Sequence, residues 1–300
     1  IAATLSSTRP PGARPTAASG SPADIRVWDL ALRDKANAWN QYVHDIWPDA
    51  DRTFFVDGYI SVAPDALGQL STSLDNSPDA LAAAALPSVG RSAEELRAWF
   101  LRAPQIHGSL YALRGETLDR LRRERFRVPL GLYRIDSLIG SSVNFNFSPA
   151  TDGWNTQRIA VNAAATWRQR VGSPWNYSDL RTALLRTTRQ AFGRLEELAI
   201  RDHLERQQAS PMRLPHTSQM FVWQWMRRHP LAAIRTVAGR PLALIGCAQN
   251  YRRKDWPLQS APPRLLFPAC SETSSGRYSS GSGVYAAICR GRCRSAAPND

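Results

Sequence analysis

Three hundred residues, 43% of them hydrophobic and ten of them tryptophan, hold enough apolar material for a sizeable buried core, so the chain is not disordered as a whole. Thirty-eight basic residues against 25 acidic ones give a formal net charge of +13, which first points to a nucleic-acid or membrane-surface partner. Only Lys35 and Lys254 are lysines, however, and more than half of the excess lies in residues 1–23 and 241–300. No apolar run reaches the roughly 18 to 20 residues of a membrane-spanning helix. The nearest candidate, Leu231 to Gly246, is broken by Arg235, Arg240 and Pro241.

Residues 1–23 are Pro, Ala, Ser, Thr, Gly and Arg with no apolar segment of the secretory type, a composition that cannot offset the entropy of ordering a chain. This head is expected to be disordered, and so is the polar stretch 246–300, rich in Ser, Gly and Arg. The folded region is expected over 24–245, in a cytoplasmic protein or one peripheral to a membrane. All four cysteines fall in the last part, and the pair Cys289 and Cys293 has no nearby His to complete a zinc site.

In chain order, Ile25 to Trp28 predicts a strand, followed by Asp34 as N-cap of a helix whose Ala36, Trp39, Val43 and Ile46 share one face. Thr53 to Val56 predicts a buried strand that stops at Asp57-Gly58-Tyr59 and resumes as Ile60 to Val62. Pro64 and Asp65 then open a helix through Leu67, Leu70 and Leu74, and Ser92 caps another carrying Leu96, Trp99 and Phe100. His107 to Leu113 reads as a strand and Glu116 to Arg127 as an arginine-dense helix. Leu180 to Leu198 and Ser218 to Arg228 have helical periodicity. Strands alternating with helices predict an α/β fold.

Three places could carry chemistry. Asp57 and Gly58 close a buried strand, where open α/β sheets place their ligand sites, and a carboxylate there can hold a hard divalent cation bridging a diphosphate. The same residues also suit an ordinary turn. Lys35 and Asn40 begin a helix whose amino end could face an anion, although a lysine at a helix start also serves as a plain solvated charge. Asp136, within Arg134 to Gly140, could be a general base or simply an N-cap for Leu138 or Ile139.

Taken in order, Lys35-Ala36-Asn37-Ala38-Trp39-Asn40, Phe54 to Leu67 with Asp57-Gly58-Tyr59 inside it, Gly108 to Arg114, and Asp136-Ser137-Leu138-Ile139-Gly140 resemble the inverting family-two glycosyltransferases of the GT-A fold over roughly residues 24–170. The resemblance implies a GT-A-like, Rossmann-like mixed sheet flanked by helices. It implies a nucleotide-diphosphate sugar donor, an acceptor hydroxyl on a glycan, lipid or small molecule, and a divalent cation, Mg or Mn. It places Lys35, Asn40, Asp57 and Gly58 at the donor, Asp57 on the metal, Asp136 as the base, and His107 with Gly108 beside the acceptor.

Tyr59 stands where many members have a second aspartate, and the Gln-x-x-Arg-Trp motif of processive members is absent, which implies single addition. Nothing before residue 24 matches the family's first nucleoside-binding strands. The expectation is therefore a truncated or frame-shifted reading that lacks half its donor site, which leaves its activity open, with a sheet incomplete at its amino end and a long exposed edge. The alternative is a non-catalytic basic protein that binds nucleic acid or anionic lipid through the Arg122, Arg123, Arg125 and Arg127 helix and Arg227-Arg228. Glu124 and the other acids of the middle region speak against a dedicated phosphate stripe. His44, His203, His216 and His229 show no ligand spacing, and Trp223 with Trp225 reads as core or acceptor-cleft lining.

Overall fold

Phe54, Phe55 and Val56 form an unbroken apolar run, and because strand side chains alternate in direction, such a run must be covered on both faces. The computed structural model, which describes residues 26–89, 93–169, 177–239, 264–268 and 285–290, covers it on both. The run lies in β2 (Arg52–Asp57), within a sheet ordered β3 (Ile60–Val62), β6 (Ile159–Gln169), β4 (Ala82–Pro87), β5 (Leu110–Arg114), β2. β4 and β6 run parallel, and every other neighbouring pair is antiparallel. The chain is thus an α/β protein with a mixed sheet.

The alternation sorts the two cores. Phe55, Tyr111, Leu113, Ala82 and Ala84 point to one face, where α1 (Lys35–Gln41), α4 (Gly115–Arg123), α5 (Ile135–Asn144), α6 (Tyr177–Arg201) and α7 (Ser218–Arg228) contribute Trp39, Leu118, Ile139, Leu195 and Phe221. Phe54, Val56, Leu110, Ala112, Ala83 and Ala85 point to the other, against Leu70 and Leu74 of α2 (Ala66–Asn76). On the first face Phe55 stacks on Tyr111 at 4.8 Å, and the Trp39 indole N–H donates to the Tyr111 hydroxyl at 3.1 Å. This buried pair satisfies two polar groups that the core would otherwise strand. Helices α3 (Ala93–Arg102) and α8 (Pro230–Ala238) complete the described helices, and none of them is long and apolar enough to cross a membrane.

Several expectations change. β1 (Arg26–Asp29) does not lead the main sheet but pairs with β7 (Arg264–Pro268) as a separate two-stranded ribbon. The stretch 246–300, expected to be unstructured throughout, contains β7 and β8 (Tyr285–Arg290), and β8 adds antiparallel to β2 along Arg52–Asp57. β2 is therefore hydrogen-bonded along both of its sides. The arginine-dense helix ends at Arg123 rather than Arg127, because Arg125 takes a left-handed conformation (φ 57°) that stops helix propagation. The proposed cap Ser92 and the expected disordered head, residues 1–23, lie outside the described residues, as do Cys247, Cys270 and Cys293.

Gly115 shows how tightly α4 meets the sheet. Its N–H donates to the Asp51 carbonyl at 2.7 Å, and a Cβ there would sit on the Ala50 carbonyl oxygen, a backbone atom that cannot swing aside. Gly115→Ala is expected to destabilise the protein by about 2 kcal/mol or more. Gly68→Ala, in α2 with nothing within 4 Å of the new methyl, is expected to stabilise it by about 0.5 kcal/mol. Paired thermal melts check this, and equal effects at the two glycines would refute the close approach.

Candidate functional site

Four chain segments meet at one end of the sheet. β2 delivers Asp57, whose backbone N–H donates to the Ser109 carbonyl at 2.9 Å, so the loop before β5 lies directly beside it. The first turn of α5 brings Asp136, and its Oδ2 accepts from the Gly108 N–H at 3.3 Å. Asp34 caps α1 by accepting from the Asn37 N–H at 2.9 Å, which fixes Lys35 at the start of that helix. The same Asp34 oxygen accepts from the Gly131 N–H at 3.3 Å and so binds α1 to the loop that leads into α5.

At the centre the Lys35 Nζ lies 2.7 Å from Asp57 Oδ1, and the Tyr59 hydroxyl donates to Asp57 Oδ2 at 2.7 Å. Burial alone would lower the Lys35 ammonium, but the charge and hydrogen bond of Asp57, with Tyr59 and Asp136 behind it, outweigh that and raise it above the ordinary lysine value. The Tyr59 phenol is also pushed up, first by burial and then by the Asp57 charge. Both groups stay protonated at neutral pH, so Asp57 is held between two fixed donors.

His107 forms one wall. Its ring stacks on Trp167 at 4.8 Å and tilts against Phe100, and its Nδ1 accepts from the Ser109 N–H at 3.1 Å. Burial pushes its pKa below the ordinary histidine value, although Asp136 and Asp57 pull the other way. Neutral, with Nδ1 engaged, the ring carries its proton on Nε2.

The sequence candidates are thus distributed as follows. Lys35, Asp57, His107, Gly108 and Asp136 come together. Gly58 lies exposed in the turn between β2 and β3. Asn40 does not join them, because its amide is fully engaged by one distant residue, donating to the Val128 carbonyl at 2.9 Å and accepting from the Val128 N–H at 2.8 Å. Asp136 is not an N-cap either. Arg134 holds that position without a side-chain bond, and the N–H groups of Tyr133 and Arg134 that lead into the helix are met from another helix. Glu196 of α6, fully buried, accepts from the Tyr133 N–H at 3.1 and 3.0 Å through its two oxygens and from the Arg134 N–H at 3.1 Å.

Glu196 and Arg186 are the functional candidates that sequence reasoning missed. Arg186 lies with its guanidinium 5.9 Å from the Tyr59 ring centre, and it is one arginine among many in α6 with nothing in the sequence to mark it. Glu196 did carry a signal, a carboxylate on the apolar helix face of Phe192, Leu195 and Ala199. The three arginines of the arginine-dense α4 each pair with a carboxylate of the same chain. Arg120 pairs with Glu124, Arg122 with Asp49 and Arg123 with Asp119, at 2.7 to 2.9 Å.

The expected divalent cation can be tested against this donor set. Each Asp57 oxygen already has a donor at 2.7 Å, and a cation seated there would face the Lys35 ammonium, like charge on like charge. Among the described residues no three His, Cys, Asp or Glu side chains form a metal-holding group. The residues present do not fit a resident cation on Asp57 as they stand. Surface depressions of about 330 and 830 Å³ lie elsewhere, lined by Ser77, Asp79 and Gln157, and by Arg52, Asp65 and Asp75 respectively. Neither contains any member of the ionisable cluster. In comparisons with known proteins, no family model and no curated protein sequence matches the chain.

Proposed function

We propose that the protein transfers a sugar from a nucleotide-diphosphate donor to an acceptor hydroxyl with inversion at the anomeric carbon. The observation that carries this reading is the convergence of Lys35, Asp57 and Asp136, far apart in the chain, on the single loop His107 to Ser109. They come from the motifs whose order resembles the family-two glycosyltransferases. The mixed α/β sheet with a ligand-competent end at the carboxyl terminus of β2 is compatible with such a fold.

The roles follow the family resemblance, and the chemistry is consistent with them. The acceptor oxygen attacks the anomeric carbon while the bond from that carbon to the diphosphate breaks and its electron pair leaves with the diphosphate. The acceptor proton needs a base on the attacking side. His107 has no lone pair left, since Nδ1 accepts from Ser109 and Nε2 carries the proton, and the resemblance gives the proton to Asp136, which sits beside that loop. His107 Nε2–H can donate to an acceptor hydroxyl and orient it, while the buried Trp167 ring stacked on it fixes the imidazole's tilt. No step here passes through a metal ion.

The alternative is a basic binder of nucleic acid or anionic lipid, two of whose arginines, Arg122 and Arg123, are paired with Asp49 and Asp119. The test is incubation of the full chain with UDP- and GDP-sugars and a panel of hydroxyl acceptors, with product anomeric configuration read by NMR. An inverted product is expected. A folded chain that yields none, and instead shows salt-sensitive retention on DNA or anionic vesicles, would replace this reading with the binder.

A further inference from the structure

We propose that the donor diphosphate is held by two protein cations, Lys35 and Arg186, in place of a divalent metal ion on Asp57. The proposal rests on the transferase reading and concerns how that donor site neutralises charge. A departing diphosphate gains negative charge as its bond to the sugar breaks, and something preorganised and positive must meet it. A bound dication is one solution, and two fixed side-chain cations supply the same charge.

The geometry favours the second solution. Lys35 is anchored by Asp57 Oδ1 at 2.7 Å while 30% of its side chain remains open to solvent, so its ammonium is fixed at a position near the surface. Asp57 is itself fixed by Tyr59, which makes the carboxylate a holder for the lysine rather than a vacant ligand. Arg186 approaches the same tyrosine from α6, with its guanidinium 5.9 Å from the ring centre. With the Gln169 amide oriented oxygen toward it, that oxygen accepts from both Arg186 terminal nitrogens, at 3.2 and 2.5 Å. Gln169 ends β6 opposite Ile60, one residue from Tyr59, so the guanidinium is tied to the same turn that follows Asp57. The guanidinium is exposed, permanently charged, and its planar fork suits phosphate oxygens.

In the transfer, the acceptor oxygen-to-carbon bond forms, the carbon-to-diphosphate bond breaks, the acceptor proton goes to Asp136 and the electron pair goes to the diphosphate. Lys35 and Arg186 stabilise that charge without giving up a proton. Tyr59, which stands where many members of the resembled family have a second carboxylate, then has a role of its own: it locks Asp57 on the lysine.

The test is titration calorimetry of the full chain with UDP and GDP, once in EDTA and once with Mn²⁺ or Mg²⁺. Binding in EDTA is expected, with affinity changed less than about threefold by metal, and Lys35→Met and Arg186→Met are each expected to weaken it roughly tenfold or more. Arg186→Met alters an exposed side chain and keeps the test valid should Lys35→Met fail to fold. Binding that vanishes in EDTA and returns with Mn²⁺ would overturn the proposal and leave the transferase reading standing. Metal-free binding indifferent to both substitutions would also overturn it. No binding under either condition from a folded chain would overturn the proposal and the transferase reading together.

Discussion

Asp136→Asn is expected to lower kcat for sugar transfer by about 10² to 10⁴-fold, with the melting temperature and nucleotide affinity nearly unchanged. Asparagine has the same shape, and its Oδ1 can still accept from the Gly108 N–H, so the first turn of α5 and the loop before β5 keep their contact. Only the proton-accepting capacity is lost. With His107 held neutral by burial and its Nδ1 engaged by Ser109, no neighbouring group in that loop can substitute as base. Steady-state kinetics with a nucleotide sugar and a working acceptor measure the effect. A loss smaller than tenfold would remove Asp136 from the role of base, and an equal loss of nucleotide affinity would reassign it to donor binding.

Glu196→Ala is expected to cost about 3 kcal/mol or more, the largest stability effect of any single change considered. The carboxylate is fully buried and meets the N–H groups of Tyr133 and Arg134, together with a Ser218 side-chain bond. Removing it strands those donors and opens a cavity beneath the start of α5. In a folded region of this size the melting temperature should fall by roughly 6 to 12 °C. Because α5 carries Asp136, turnover should fall as well, with the remaining activity showing a raised KM for acceptor.

The Glu196 carboxyl also makes stability depend on pH. Burial pushes it up to about 7 from its ordinary 4.5, against the pull of the Tyr133 and Arg134 hydrogen bonds. The folded state therefore holds the proton more tightly than the unfolded chain. Its contribution is fully present below about pH 4.5 and is lost as pH rises toward 7, by about 3 kcal/mol in all. Glu196→Gln, neutral throughout, should lack that slope in denaturant melts taken between pH 4.5 and 7.5. Parallel pH profiles for the two proteins would show that another group sets the slope.

What the sequence made legible follows the strength of local signals. β2, its turn, β3 and α2 could be read directly because a strongly apolar strand, an Asp-Gly turn and a Leu-spaced helix follow one another without interruption. β4 could not, since Ala82 to Ala85 are good helix formers and nothing local argues for a strand. Its place between β5 and β6, buried on both faces, decides its conformation. β6 is hidden by its own irregularity. Its register against β4 slips after Asn162, whose side chain folds back to accept from the Ala164 and Ala165 N–H groups, so the alternation never shows. β8 is embedded in a Ser- and Gly-rich tail, and only pairing with β2 identifies it.

The candidate site divides in the same way. Lys35, Asp57 and Asp136 were legible from the order of their motifs, whereas Asn40 looked equivalent to Lys35 until the fold brought Val128 against it. Arg186 has no local mark at all, because its relevance arises only when α6 passes over Tyr59.

The shared oxygen of Asp34 has a mechanical meaning for the chemistry proposed. One atom anchors both the helix that positions the lysine and the loop that leads to the helix bearing the base. Thermal displacement of either segment is then transmitted to the other, so the two charged groups tend to shift in step rather than independently. The quantity that matters for in-line transfer is the span between the leaving group's cation and the attacking side's carboxylate, and a common anchor damps fluctuation in that span even while the end of the sheet as a whole breathes.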